Sequence, residues 1–240
     1  YLKQHKNDQA ILWLEKATSA NPQSLYGLYW LGRAHVQNNN IQQGIQYFLK
    51  VLTQKPDLPQ VHHDLGKAYF MNRDYKKALE HVQYALNRNS SMIPYYITLS
   101  QIYDHMQLEK KALAALQDAL VIDRSMVDIY IERGNINKNA GRFEDALKEY
   151  NLAALIKPEL WLSHYKSGVA LYYLTRLDEA ETAFLKVEEL QPENGSTYHF
   201  LGIISLAKDK NKEAENWLLK AAELDGVSAD VWFHLGEAQM

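Results

Sequence analysis

Small residues recur along this chain at a fixed spacing of 34 positions. The first series holds glycine at every step but one: Gly32, Gly66, Ser100, Gly134, Gly168, Gly202 and Gly236. The second series lies twelve positions further along: Ala10, Gly44, Ala78, Ala112, Ala146, Ala180 and Ala214. A period of this size, kept without insertion, is typical of one supersecondary unit stacked many times. The chain is therefore predicted to be a solenoid, which offers a long surface rather than an enclosed pocket.

Each unit is predicted to contain two helices. In the first complete unit, Leu28, Leu31 and His35 follow the spacing of one face of an amphipathic helix. Three asparagines end that pattern, and a second helical pattern follows until Pro56. All the prolines fall between the second helix of one unit and the first turn of the next: Pro22, Pro56, Pro59, Pro94, Pro158 and Pro192. The unit is thus helix A, tight turn, helix B, loop.

The two small-residue series predict a close crossing of helices A and B. Glycine inside a helix costs roughly 0.5–1 kcal/mol relative to alanine, so its repetition at one position requires a compensating gain. We expect the glycine of helix A to meet the alanine of helix B, where a larger residue would push the helices apart.

These features resemble the tetratricopeptide repeat (TPR) family. The segments 65–69 (Leu-Gly-Lys-Ala-Tyr) and 141–146 (Gly-Arg-Phe-Glu-Asp-Ala) carry the likeness most clearly. The resemblance implies an all-α fold, an α-solenoid in which 34-residue helix-turn-helix repeats stack into a right-handed superhelix. The whole chain, 1–240, is interpreted as a single array: 1–24 as a partial repeat (helix B), 25–58, 59–92, 93–126, 127–160, 161–194 and 195–228 as full repeats, and 229–240 as a partial repeat (helix A).

Charge and composition exclude several classes of function. The net charge of −3 argues against general nucleic-acid binding, which needs a basic surface. The charge is uneven: residues 1–120 hold 13 Lys and Arg against 9 Asp and Glu, whereas residues 121–240 hold 13 against 20. No apolar run is long enough for insertion in a membrane, and there is no cysteine for a disulfide or a thiolate metal site. The cytoplasm is the default expectation for the compartment, and the periplasm stays open.

No catalytic or cofactor motif is present, so the chain is predicted not to be an enzyme and to need no cofactor. His62 and His63 are the most tempting metal ligands. Neighbouring residues on a helix point about 100° apart, so these two cannot share a metal face. We therefore predict no metal site.

The TPR resemblance implies that helix A lines the concave side of the array, mainly through its residues 2, 5, 9, 12 and 13. The fifth and sixth repeats are unusually apolar at these positions, and gathered apolar and aromatic side chains favour a partner-binding patch. The predicted partner-binding residues are Tyr26, Tyr29, His63, Phe70, Ile131, Leu162, Tyr165, Val169, Tyr172, Tyr173, His199, Ile203 and Leu206. No lysine stands at position 5 of any repeat, so the carboxylate clamp of chaperone-binding TPR domains is absent.

The predicted function is a protein–protein interaction scaffold that binds a protein or peptide segment in the concave groove, with the partner's basic side toward the acidic C-terminal half. One alternative is the substrate-recruiting arm of a larger enzyme. Another is an assembly scaffold of a bacterial envelope export or pilus system. A third places recognition on the convex helix B face, around Lys76, Lys77, Lys110 and Lys111. Because both ends cut through a repeat, we also expect self-association through uncapped ends.

Overall fold

The computed structural model describes residues 2–225 and 228–239, and this part of the chain is all-α, as the sequence predicts. The chain divides into two compact parts of several repeats each, which are called unit 1 (1–124) and unit 2 (125–240) from here on. Unit 1 contains α1 (Leu2–Ala20), α2 (Leu25–Gln37), α3 (Ile41–Gln54), α4 (Pro59–Met71), α5 (Tyr75–Arg88), α6 (Ile93–His105) and α7 (Glu109–Ile122). Unit 2 contains α8 (Val127–Asn139), α9 (Phe143–Ile156), α10 (Trp161–Tyr173), α11 (Leu177–Leu190), α12 (Gly195–Ala207), α13 (Asn211–Asp225) and α14 (Ala229–Ala238). The predicted ends of the array, Tyr1 and Met240, lie outside the described residues, as do residues 226–227 of the predicted repeat 195–228.

The even-numbered helices α2 to α14 are the helices A, and they begin 34 residues apart, from Leu25 to Ala229. Local chemistry sets several of these starts. The Ser24 hydroxyl accepts a hydrogen bond from the Gly27 amide, and the Asn194 side chain caps α12 through the amide of Thr197. Pro59 and Pro94 lie in the first turns of α4 and α6, where a missing amide hydrogen costs nothing.

The turn from helix A to helix B has the same backbone in every repeat. One residue of each turn has a positive φ: Asn39, Arg73, Gln107, Gly141, Thr175 and Asp209. Each turn then closes with an amide that reaches back five residues, as in Asp74 N–H to the Tyr69 carbonyl (2.9 Å). Gly141, Asn39 and Asp209 suit this left-handed position. Arg73, Gln107 and Thr175 hold side chains that disfavour it.

The glycine series does pack closely against helix B, but its partner differs from the one expected. From Gly32 to Gly202, the space beside the glycine is filled mainly by the large residue one turn after the small residue of helix B, not by that small residue itself. A Cβ added at Gly168 would lie 2.9 Å from the Phe184 ring, and one at Gly134 would overlap the Tyr150 ring. The alanine contributes its backbone carbonyl in the second repeat, where the Ala78 oxygen would lie 3.1 Å from a Cβ at Gly66. The glycine therefore leaves room for a buried ring or branched chain.

An aromatic residue ties several helices A to the loop that precedes them. The fourth residue of the helix hydrogen-bonds a carbonyl six residues earlier, as in His62 to Pro56 (2.9 Å) and Tyr198 to Pro192 (3.0 Å). Across residues 2–225 and 228–239, no helix is both long and apolar enough to cross a membrane.

Candidate partner-binding surface

Successive helices A touch through a repeated pair of side chains. The fifth residue of one helix A meets the sixth residue of the next helix A in the same unit. In unit 1, the Tyr29 hydroxyl donates to Asp64 Oδ2 (2.6 Å), and His63 Nε2 lies 2.9 Å from the Thr98 hydroxyl. Positions 5 and 6 therefore form one continuous line along each unit. We call the surface formed by residues 2, 5, 6, 9, 12 and 13 of the helices A the A face.

The A face of unit 2 carries a contiguous group of aromatic rings, which we call the unit 2 aromatic cluster: Tyr165, Tyr172, Tyr173 and Phe200. The Phe200 ring lies 6.1 Å from that of Tyr165 and 5.5 Å from that of Tyr172, in edge-to-face geometry. The rings of Tyr172 and Tyr173 are 5.8 Å apart. These spacings fall in the range of favourable aromatic pairs. The structure thus brings the three predicted tyrosines together across α10 and α12.

The rings of this cluster pack against other aromatic side chains on one side and are accessible to solvent on the other. Phe200 stacks on the fully buried Phe184 at 4.9 Å, and Tyr173 stacks on Phe143 of α9 at 4.8 Å. Tyr173 nevertheless remains 57% exposed, and Tyr165 and Tyr172 are half-buried. Rings that are held in place on one side and open on the other can contact a partner with little loss of conformational freedom.

The other predicted residues of unit 2 lie around this cluster with different degrees of burial. Leu162, Val169, His199, Ile203 and Leu206 are half-buried. Ile131 is buried at 7% exposure, so a partner cannot reach it without a rearrangement. His199 Nε2 lies 3.1 Å from His234 Nδ1 of α14, the same pairing of positions 5 and 6 that recurs elsewhere.

The four predicted residues of unit 1 do not form one cluster. Tyr26 is 73% exposed, and its one aromatic neighbour within the described residues is Trp30, whose ring centre lies 5.9 Å from its own. Phe70 packs against Tyr75 and, at 4.9 Å, against His105. His63 is buried, which removes it from direct partner contact.

Tyr29 and Asp64 form the centre of a polar network on the A face of unit 1. Burial raises the pKa of Tyr29 to about 12, and the hydrogen bond to Asp64 adds to the rise. Burial alone would raise the pKa of Asp64, but the contact with His63 Nδ1 (3.5 Å), the hydrogen bond from Tyr29 and the charge of Arg33 hold it below its usual value. Arg33 Nε lies 3.8 Å from Asp64 Oδ2. The carboxylate is therefore ionised and already neutralised within the chain.

The adjacent histidines His62 and His63 point to different partners, as helical geometry requires. His62 Nε2 contacts a carbonyl and must donate to it, so its Nδ1 accepts from His81 Nδ1 at 2.9 Å. His63 contacts Thr98 instead. Over the described part of the chain, no group of three or more His, Cys, Asp or Glu side chains is placed to hold a metal ion.

Unit 2 also has an open cleft of about 570 Å³ that is lined by residues of α9, α10 and α11. Its lining includes Ser167 and Ala183, small residues at positions where the sixth repeat has Leu201 and Trp217. The Ser167 hydroxyl donates to Asn151 Oδ1 (3.0 Å).

Sequence reasoning missed position 6 of helix A. Phe200 completes the aromatic cluster, and Asp64 centres the polar network, yet neither was among the predicted residues. A usable signal existed, because residue 6 lies four positions after residue 2 and three before residue 9, on the same helical face.

Comparisons with known proteins identify the repeat. Sequence profiles for the tetratricopeptide repeat match residues 1–59, and residues 127–160 and 163–194. A crystal structure of a tetratricopeptide repeat protein from Parabacteroides merdae superposes with a TM-score of 0.74 at 16% identity, covering 100% of this chain and 95% of that one. The structure reported for Pseudomonas aeruginosa pilF gives a TM-score of 0.71 at 14% identity, covering 89% and 97%.

A chain in the crystal structure of the APC/C hetero-tetramer Cut9–Hcn1 gives a TM-score of 0.74 at 15% identity over 99% of this chain. The chain spans 47% of the Cut9-complex chain it matches. At these identities the likeness is one of fold. No curated protein matches the chain in sequence.

The chain belongs to the tetratricopeptide repeat family, and its fold is that of a TPR solenoid. Proteins built from these repeats are scaffolds for protein–protein interaction and are typically non-catalytic. The profile matches and the TPR neighbours support that role for this chain.

Proposed function

We propose that this chain binds a segment of a partner protein along the A face, with the unit 2 aromatic cluster as its anchor. The observation that carries the proposal is the set of tyrosines fixed by Phe143, Phe184 and Phe200 but open on one edge. Tyrosine gives a large contact area for few rotatable bonds and keeps a hydroxyl for polar groups. A repeat protein of this fold, YrrB, is described as having an unusual peptide-binding site; it matches with a TM-score of 0.57 at 19% identity, covering 78% of this chain.

The competing surface is the helix B side around Lys76, Lys77, Lys110 and Lys111. Lys77 lies 3.2 Å from Asp74 and 5.2 Å from the centre of the Tyr69 ring. Lys111 lies over the ring of Tyr103 at 5.7 Å. These internal contacts favour the aromatic cluster over the lysines as the recognition surface.

The test is capture of partners from the native extract with the full chain, followed by mass spectrometry and by affinity measurement with the purified partner. The double variant Tyr172→Ala/Tyr173→Ala should weaken that affinity by roughly 1–4 kcal/mol, the usual range for interface anchors. Leu155→Ala is the matched control, because Leu155 is 77% exposed on α9 and lies outside the A face. Circular dichroism should show the same helicity for all three proteins.

A second variant separates the two surfaces. If Lys76→Glu/Lys77→Glu abolished capture while the double tyrosine variant bound normally, recognition would lie on helix B and the proposal would be wrong. The recruiting-arm and envelope-scaffold alternatives differ from this proposal in the partner's identity, which the same mass spectra report.

A further inference from the structure

The seventh residue of helix B carries a ring in the first, second and sixth repeats, and that ring stacks on a ring of helix A. The stacked pairs are Tyr47 on His35 (5.3 Å between ring centres), His81 on Tyr69 (5.5 Å) and Trp217 on Tyr198 (5.8 Å). The two planes of each pair lie within 18° of parallel. This place in the repeat therefore holds a flat ring against helix A.

A lysine covers the ring in the first and sixth repeats. Lys50 Nζ lies 5.1 Å from the centre of the Tyr47 ring, and Lys220 Nζ lies 4.5 Å from that of Trp217. Both lysines are the tenth residue of their helix B. An ammonium group over the face of an aromatic ring is attracted by the ring's quadrupole. The ring is thus held between helix A and a cation.

The fifth repeat keeps the surroundings of this ring but lacks the ring itself. Its seventh helix B residue is Ala183, its tenth is Lys186, and its helix A has His164 at the fourth position. All three residues line the open cleft of about 570 Å³, together with Ser167. The cleft therefore lies where the sixth repeat places the Trp217 ring.

The third and fourth repeats differ from the fifth at this place. The third also has an alanine there, Ala115, but it keeps a leucine, Leu99, at the seventh position of helix A. In the fourth repeat the place belongs to Glu149, which pairs with Arg133 at 2.9 Å. Among the full repeats, the fifth alone has small residues at both positions.

The charged groups of the cleft are already paired. Arg176 donates two hydrogen bonds to Glu179 (2.6 and 2.7 Å), and Lys186 pairs with Glu189 at 2.7 Å. Asn151 Oδ1 accepts from a serine hydroxyl and has a second lone pair for another donor. These features suit a neutral ring with a polar N–H better than a charged ligand.

We infer that the cleft binds a tryptophan side chain of a partner protein, with its indole ring against His164 and beneath Lys186. Leu147 and Leu171 provide apolar walls for the ring. The volume lies within the usual range of ligand sites, roughly 300–1,000 Å³. A tryptophan within a chain is neutral, whereas a free aromatic acid would bring a carboxylate to cations that already have partners. Charge complementarity therefore favours the side chain of a partner protein.

This site is separate from the proposed function. The residues that line the cleft come from α9 and α11 and from positions 4, 7 and 11 of α10, and none of them belongs to the A face. A partner could therefore occupy the cleft whether or not another segment lies along the A face.

The test uses the full chain labelled with ¹³C at alanine methyl groups and three probes. The probes are acetyl-Gly-Ser-Trp-Gly-Ser-amide, the same peptide with Leu in place of Trp, and indole-3-acetate. The Trp peptide should shift the Ala183 methyl signal and bind at least roughly tenfold more tightly than the Leu peptide. Ala207, an exposed residue of the A face, is the internal control.

Ala183→Trp should abolish binding of the Trp peptide, because the chain then supplies its own ring. Ser167→Leu should weaken binding at least roughly tenfold, since leucine narrows the cleft, and it decides alone if circular dichroism shows that Ala183→Trp has lost helicity. Leu185→Trp is the matched control, because Leu185 is 42% exposed on α11 and does not line the cleft. It should bind the peptide as the parent does.

Equal affinity for the two peptides, an Ala183 signal that stays fixed up to about 10 mM peptide, or undiminished binding in Ser167→Leu would overturn the inference. Tighter binding of indole-3-acetate would also overturn it, because the occupant would then be a free aromatic acid. If only Ala207 moves, and Tyr172→Ala/Tyr173→Ala removes that shift, tryptophan binds the A face and only the cleft inference fails. An Ala183 shift that persists in the double tyrosine variant supports the cleft independently of the A face.

Discussion

At the scale of single residues, the repeated glycine of helix A leaves room for a large side chain of helix B. Tyr150 is fully buried, and its hydroxyl donates to Asn135 Oδ1 at 3.1 Å. Its ring is thereby held against Gly134 and cannot swing away from an added methyl group. The 34-residue spacing revealed that close approach was needed, but only the packing shows which side chain uses the space.

Gly134→Ala should therefore lower the free energy of unfolding by about 1–3 kcal/mol, because overlap with Tyr150 outweighs the better helix propensity of alanine. Gly236→Ala is the matched control, since a Cβ there meets nothing within 4 Å. That control should be neutral or stabilising by up to about 1 kcal/mol. Urea denaturation followed by circular dichroism measures the free energy of unfolding of both variants. Equal stability of the two variants would contradict the close packing of Tyr150 against Gly134.

At the scale of the element, the turns between helix A and helix B share one backbone conformation, but their residues do not all favour it. Thr175 has a φ of 58°, although a β-branched side chain disfavours that region, while Gly141 has a φ of 74° at the equivalent place. The backbone hydrogen bonds of both turns are the same, as in Arg176 N–H to Leu171 (3.0 Å) and Arg142 N–H to Asn137 (2.9 Å). The stacking of the helices thus imposes a conformation that Gly141 favours and Thr175 does not.

Thr175→Gly should raise the free energy of unfolding by about 1 kcal/mol, because relief of the left-handed strain exceeds the added flexibility of glycine. The reciprocal change Gly141→Thr should lower it by a similar or larger amount. Thermal melts of the two variants against the parent give the sign directly. A lower melting temperature for Thr175→Gly would mean that the threonine side chain stabilises the fold by more than its backbone strain destabilises it.

At the scale of the whole molecule, the fold was predictable because its information is local and repeated. The 34-residue period, the positions of the prolines and the helical spacing of apolar residues all indicate the same two-helix repeat. From Gly32 onward, the all-α repeat class therefore follows without knowledge of any long-range contact. The partner surface is less readable, because it depends on contacts between side chains 35 residues apart. Tyr165 was predicted as a partner contact, but the rings of Phe184 and Phe200 that hold it emerge only when the helices are placed. The partner-binding residues stay a prediction.

Self-association is the remaining expectation for the molecule as a whole, and α14 is where it should occur. Trp232 and Phe233 are 48% and 65% exposed on this helix, side by side, which is a larger apolar area than an isolated surface residue presents. We expect sedimentation equilibrium to show concentration-dependent association that Trp232→Ser/Phe233→Ser removes. Leu185→Ser is the control, because Leu185 is 42% exposed and no other large hydrophobic side chain of α11 is exposed. A parent chain that stays monomeric at all concentrations, with α14 as protected from hydrogen exchange as α10, would show that these side chains do not drive association.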